Sequence, residues 1–169
     1  VYKRQDLYRA GGPQSLTVSF DRPENTLEVL VENMGRVNYG VRLGERKGIT
    51  DCLTLDSQKH FGWEMLSLPL DHAEKVPYRG EAAPGEPAFY SASFETEEPA
   101  DTYFDSEGWH KGVVFVNGFN LGRYWEAGPQ RTLYLPAPLL KKGKNEIVVF
   151  EQYGGEHPKI RLTGTRILK

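Results

Sequence analysis

The 169-residue sequence has little sulfur: one cysteine, Cys52, and two methionines. A single cysteine excludes an intrachain disulfide framework. Cys52 stands in ITDCLTL, where strand alternation sets it opposite Leu53 and Leu55, and a small packing residue is the reading preferred over a nucleophile. Long apolar runs are also missing. None reaches the roughly 20 residues of a membrane-spanning helix, and no apolar stretch follows Lys3 and Arg4 to make a signal peptide. Neither sign of charge dominates: 21 Lys and Arg stand against 23 Asp and Glu, interspersed, for a net −2. That balance excludes the basic footprint of a nucleic-acid or anionic-membrane binder. The histidines (His60, His72, His110 and His157) are scattered, with none at the short spacing of a zinc site. The sequence holds no CxxC pair, phosphate-binding glycine loop or serine nucleophile elbow, so neither metal nor cofactor is expected. There is no internal repeat and no Met at position 1. Residues 1–5, VYKRQ, fit nothing that follows, so residues 1–15 are expected to be disordered or non-native, with the natural start elsewhere. The lone cysteine and lack of a visible leader favour a cytoplasmic setting.

Turn formers and aromatics are plentiful instead. Eighteen glycines, eleven prolines and a 12% aromatic share suit many short strands joined by turns. The centre is 111–125, KGVVFVNGFNLGRYW. Its run VVFV is β-branched and aromatic, long enough for a buried strand and short for a helix. Asn117-Gly118 accepts positive φ at both central positions of a type I′ turn. Phe119, Leu121 and Arg123 then alternate with Asn120, Gly122 and Tyr124, and Gly122 suggests a bulge. A hairpin follows. Other expected strands are 15–20, 27–32, 49–55 and 62–68 before it, with 88–95 and 101–104, then 131–135, 145–151 and 160–168 behind it. Residues 136–140 suit one helical turn closed by Lys141, Lys142 and Gly143. The stretch 71–87, DHAEKVPYRGEAAPGEP, loses apolar periodicity and reads as a linker.

Two blocks carry a resemblance. VFVNGFNLGRYW, followed by GPQ at 128–130 and TLYLP at 132–136, resembles the C-terminal jelly-roll domain of glycoside hydrolase family 35 β-galactosidases. LVENMGRVNYG at 30–40 resembles the β-domain that precedes it there. The resemblance runs from about Leu16 to Leu168. It implies an all-β chain: a partial first β-domain over 16–70, a linker over 71–87, and a galactose-binding-like jelly-roll sandwich over 88–169. It also implies a parent enzyme that removes terminal non-reducing β-D-galactose with retention. Such chemistry needs two carboxylates about 5 Å apart, which the family carries as glutamates on a TIM barrel. No alternating βα pattern here supplies a barrel, so no catalytic residue is assigned. Glu126 beside Trp125, and Asp101 with Asp105, read as solvated turn residues. The partners implied are the catalytic TIM-barrel domain of the same parent chain and a galactoside substrate. A homodimer is left open; nucleic acid and membrane are not expected.

Within this frame Tyr39, with Arg36, is the candidate for shaping the aglycone side of the parent's pocket. The alternative is that Asn33, Arg36 and Asn38 only hold their loop together. Trp63 reads as core. Trp109 and Trp125 flank the hairpin at loop positions, so either could offer a face to a sugar, although large aromatics more often serve the core. Arg123 suits an acidic neighbour better than a ligand. The functional reading is a non-catalytic C-terminal part that supports the barrel and limits access to its site. The alternatives are an independent carbohydrate-binding module and a purely structural interaction domain.

Overall fold

The computed structural model describes residues 15–154 and 159–169, apart from 21, 34, 36, 37, 45, 81 and 84. Among them every regular element is a β-strand or a short 3-10 turn, the all-β class expected. The chain divides at Pro69–Leu70 into two units.

In the unit Thr17–Pro69 the only ladder among the described residues is a small hairpin of β1 (Thr54–Leu55) and β2 (Gln58–Lys59). Asp56 and Ser57 turn it with φ of 46° and 68°. The strands expected at 15–20, 27–32 and 62–68 form no ladder, and 49–55 contracts to β1. Alternation says which side chains a strand would bury, but a ladder also needs a neighbouring strand, and the described residues of this unit provide none. Trp63, expected in a core, is 41% exposed, and its Nε1 donates to the His60 carbonyl at 3.0 Å.

The unit Leu70–Lys169 holds the remaining strands: β3 (Ala88–Thr96), β4 (Thr102–Asp105), β5 (Lys111–Val116), β6 (Phe119–Trp125), β7 (Thr132–Leu135), β8 (Gly143–Glu151) and β9 (Arg161–Thr163). They make two antiparallel sheets, of order β3-β8-β5-β6 and β7-β4-β9. Phe104 and Leu135 from the smaller sheet meet Val114, Val116, Tyr124, Ile147 and Val149 from the larger. Burying such side chains contributes about 1.5–3 kcal/mol each. On the outer face of the larger sheet, Val113, Phe115 and Val148 are covered by Ala73, with Leu70 and Phe89 packed alongside. Strand β5 is thus buried on both faces, which is why its sequence is continuously apolar rather than alternating.

The predicted turn forms: Asn117 and Gly118 have φ of 49° and 81°. The predicted bulge forms too. Val114 faces Gly122 while Phe115 faces Asn120, leaving Leu121 extra, and Gly122 sits at φ 134°. The extra residue lets Leu121 and Tyr124, three apart, both reach the inter-sheet core; an unbroken strand would send them to opposite faces. The helical turn appears as Ala137–Leu139. The stretch 71–87 is not a bare linker, since Ala73–Lys75 forms a 3-10 turn, Ala73 is buried, and the Tyr78 hydroxyl donates to the Ala73 carbonyl at 2.9 Å. Its described charged residues, such as Glu74 and Lys75, are exposed. Residues 1–14, most of the expected N-terminal segment, lie outside the described residues.

Candidate functional site

Trp109, which the sequence offers as a sugar platform, is not on the surface. It belongs to the connection between β4 and β5, yet it is 3% exposed. Its ring packs among Tyr90, Phe104 and Tyr124, with centroids 5.3 to 6.5 Å away, and its Nε1 donates to the Lys159 carbonyl at 3.1 Å. The connection folds inward because an indole recovers more by filling the sandwich than by standing in water. The expectation that Trp109 offers a face to a sugar is therefore corrected: both faces are committed to the core.

Trp125 ends β6 half-buried. It faces Lys111 across the ladder, and the Lys111 ammonium stands 5.2 Å from its ring centre, an interaction between a cation and a π-face. Beside it the His110 Nδ1 lies 2.7 Å from the Glu126 Oε2, and the Lys169 ammonium donates to the Glu126 carbonyl. The structure brings Trp125, Lys111, His110, Glu126 and Lys169 together. It does not bring Trp109 to that surface as a second platform. Arg123 is exposed on the same strand.

The carboxylates serve structure. Asp105 is buried and accepts from Arg131 through both oxygens, from Nε and from the terminal nitrogen, each at 2.8 Å. Arg131 also reaches Glu107 at 2.7 Å, and Arg161 reaches Glu107 at 2.6 Å. The Arg131 guanidinium holds the Asp105 carboxyl below its usual range, so Asp105 is no solvated turn residue. Asp101 is exposed and separate, accepting from the Tyr134 hydroxyl and the Ala137 amide at 2.8 Å each. Glu151 is fully buried at the end of β8. It accepts from the amides of His110, Lys111 and Tyr153 at 2.8, 3.2 and 2.9 Å. The Tyr124 hydroxyl lies 3.1 Å from it and 3.0 Å from the Phe150 carbonyl. Burial pushes the Glu151 carboxyl up, against those amide donors, and pushes the Tyr124 phenol up as well.

A second buried polar group closes the hairpin tip. Asn117 Nδ2 donates to the Leu139 carbonyl and to Asn145 Oδ1, both at 2.8 Å, and its Oδ1 accepts from the Glu146 amide at 3.0 Å. Asn145, 1% exposed, donates to the carbonyls of Lys141 and Gly143 at 2.7 and 3.0 Å. A shallow cleft beside the tip, with enclosed room for about one water molecule, is lined by Ala73, Glu74, Phe115, Asn117 and Glu146 and encloses far too little space for a ligand pocket. Sequence reasoning passed over Glu151, Asn145 and the Arg131 network. A charged residue closing the apolar run IVVF was the available signal for Glu151.

In the other unit, Tyr39 lies in a bend and is 91% exposed. Its proposed companion Arg36 lies outside the described residues. Cys52 is half-buried. Among the described residues no three of His, Cys, Asp and Glu gather in a metal-ligand arrangement, and no helix is long and apolar enough to cross a membrane.

Comparison with known proteins adds two family matches. Residues 3–69 match the first all-β domain of β-galactosidase, and residues 87–145 match its galactose-binding domain. The first match begins upstream of Leu16, the expected start of the resemblance. Among similar proteins, β-galactosidase 17 of Arabidopsis thaliana is 41% identical, covering 89% of this chain and 24% of its own length. The human β-galactosidase-1-like protein 2 is 44% identical, covering 75% of this chain and 21% of its own. A Xanthomonas manihotis β-galactosidase is 43% identical, covering 72% and 20% respectively. The chain spans less than a quarter of the length of these relatives.

Proposed function

Because this chain carries the first all-β domain and the galactose-binding domain of the β-galactosidases, we propose that it is the non-catalytic C-terminal part of such an enzyme. The parent would remove terminal non-reducing β-D-galactose with retention of configuration, using carboxylates on a TIM-barrel domain of the same polypeptide. This part supports that barrel and limits access to its site, and a homodimer contact is a further role open to it. One observation carries the reading: two β-domain matches occur in order on a chain that spans 20–24% of the relatives' lengths. The test is hydrolysis of a chromogenic β-galactoside by the purified 169-residue chain. No turnover is expected, and turnover by a clean preparation would overturn the proposal.

Within the parent enzyme, Tyr39, with Arg36, shapes the aglycone side of the pocket. The 91% exposure of Tyr39 supports this, because a large aromatic that is not core is available to another surface. Replacing Tyr39 by Ala in the complete enzyme should change KM for galactosides with different aglycones unequally. Identical kinetics on all of them would remove Tyr39 from the site. The half-buried Trp125 on its cationic surround favours a second reading, an independent carbohydrate-binding module. Galactose titration followed by tryptophan fluorescence decides it: saturation below millimolar that is lost in Trp125→Ala would establish the module.

A further inference from the structure

Asn117 is the only one of the six asparagines in the sequence that is followed by glycine. That pair carries a chemistry of its own. The amide nitrogen of the following residue can attack the asparagine Cγ, closing a five-membered succinimide and expelling the side-chain nitrogen as ammonia. Water then opens the ring to aspartate or isoaspartate. No electrons are exchanged, and the only co-reactant is solvent water. Glycine, having no β-carbon, leaves the attacking nitrogen unshielded, and Gly118 is exposed. Asparagine counts among the thermolabile residues.

In the folded chain the reaction is opposed atom by atom. The leaving nitrogen, Nδ2, donates to the Leu139 carbonyl and to Asn145 Oδ1 at 2.8 Å each, and Oδ1 accepts from the Glu146 amide at 3.0 Å. The Asn117 amide donates in turn to the Glu146 carbonyl at 2.9 Å. Turning Cγ onto the Gly118 nitrogen breaks all the side-chain bonds. The product fits the seat no better. A carboxylate has no proton to donate, so one of its oxygens would face two acceptors. Asn145 cannot reverse its amide to help, since its Oδ1 also accepts from the Lys141 amide at 2.8 Å and its Nδ2 serves the Lys141 and Gly143 carbonyls. Isoaspartate puts an extra methylene into the main chain of the turn, whose length sets the register of β5 on β6.

We propose that Asn117-Gly118 is a deamidation site gated by folding. The closed hairpin preserves the amide, and conversion in an opened chain is a covalent step that bars return to this fold. Chemical modification of an unfolded chain is one route by which unfolding becomes irreversible. Here a single turn sets where it happens.

The tryptic peptide 112–123 reports the reaction, because Asn120 lies in it before a bulky leucine and serves as the internal reference. The 169-residue chain is held at mildly alkaline pH in buffer and in concentrated urea, and each asparagine is followed by mass spectrometry. In urea Asn117 should convert while Asn120 does not. In buffer the conversion of Asn117 should be slower on the order of a hundredfold, the cost of opening the hairpin. Equal rates in the two solutions, with the chain folded in buffer by circular dichroism, overturn the gate. After urea is removed, the protease-resistant folded fraction should carry only unconverted Asn117. Converted peptide recovered there in its input proportion overturns the bar to refolding. Asn117→Asp supplies the first product directly. At neutral pH its urea midpoint should fall below that of Asn117→Gly, which loses the same bonds without bringing in a charge. A midpoint equal to or above that of Asn117→Gly overturns the bar as well.

Discussion

At Gly112 a β-carbon would sit 1.7 Å from the Phe150 carbonyl oxygen and 2.6 Å from the Tyr124 hydroxyl. The residue is needed for space, because the Tyr124 ring lies across it to reach β8. Gly112→Ala must push two strands apart, and forced overpacking of this kind is expected to remove about 3 kcal/mol or more. A urea midpoint within error of wild type would contradict that. Asp105 and Glu151 respond oppositely to pH. The folded-state pKa of Asp105 is depressed by Arg131, so its contribution is present above the ordinary carboxylate pKa and is lost as pH falls through its folded value. Glu151 is raised by burial, so its contribution is largest below the ordinary value and declines as pH rises towards the folded one. Asp105→Asn should therefore flatten the acid limb of stability against pH, measured by urea unfolding between about pH 2 and 6, where free carboxylates titrate. An unchanged limb would mean that Arg131 is as well satisfied by Glu107. Single residues were also the least legible in the sequence. Trp63 and Trp109 exchanged their expected places because strand and loop do not by themselves say what covers a side chain.

At the scale of elements, the hairpin, its turn and its bulge were all readable, because Asn117-Gly118 and Gly122 prescribe local backbone that few other residues adopt. What that reading left out is the side chain of Asn117, which ties the turn to β8 through Asn145 and to the 3-10 turn through Leu139. Two substitutions separate the roles. Asn117→Gly keeps the backbone and loses the side-chain bonds, for an expected loss of about 2 kcal/mol. Asn117→Ala adds the left-handed strain of a residue with a β-carbon, about 1 kcal/mol more. Equal urea midpoints for the two variants would show that the turn carries no strain. The strands expected in 15–69 failed for a different reason. A sheet is a long-range object, and local sequence does not say which strands pair; among the described residues of this unit only β1 and β2 do.

At the scale of the molecule the two units differ in how they are held. The unit Leu70–Lys169 has packed apolar clusters on both faces of a four-stranded sheet, whereas the unit Thr17–Pro69 has one two-residue hairpin among its described residues. Segments with few buried contacts open at little cost in free energy. Limited proteolysis should therefore cut within 17–69 first and leave a resistant product beginning near residue 70. Survival of 17–69 alongside an equally resistant second unit would contradict this. At this scale the all-β class, the antiparallel sandwich and the kinship with the β-domains of β-galactosidases were legible.

The strand order β3-β8-β5-β6 also has a consequence in time. On a ribosome, β3, β5 and β6 leave the exit tunnel well before β8, and the hairpin of β5 and β6 can form alone from neighbouring residues. The seat between β3 and β5 stays vacant until residues 143–151 are released. Between the release of Trp125 and that of residues 143–151 the nascent chain thus presents two open strand edges on one molecule, the arrangement that invites pairing with other chains. The late arrival of a single segment closes both.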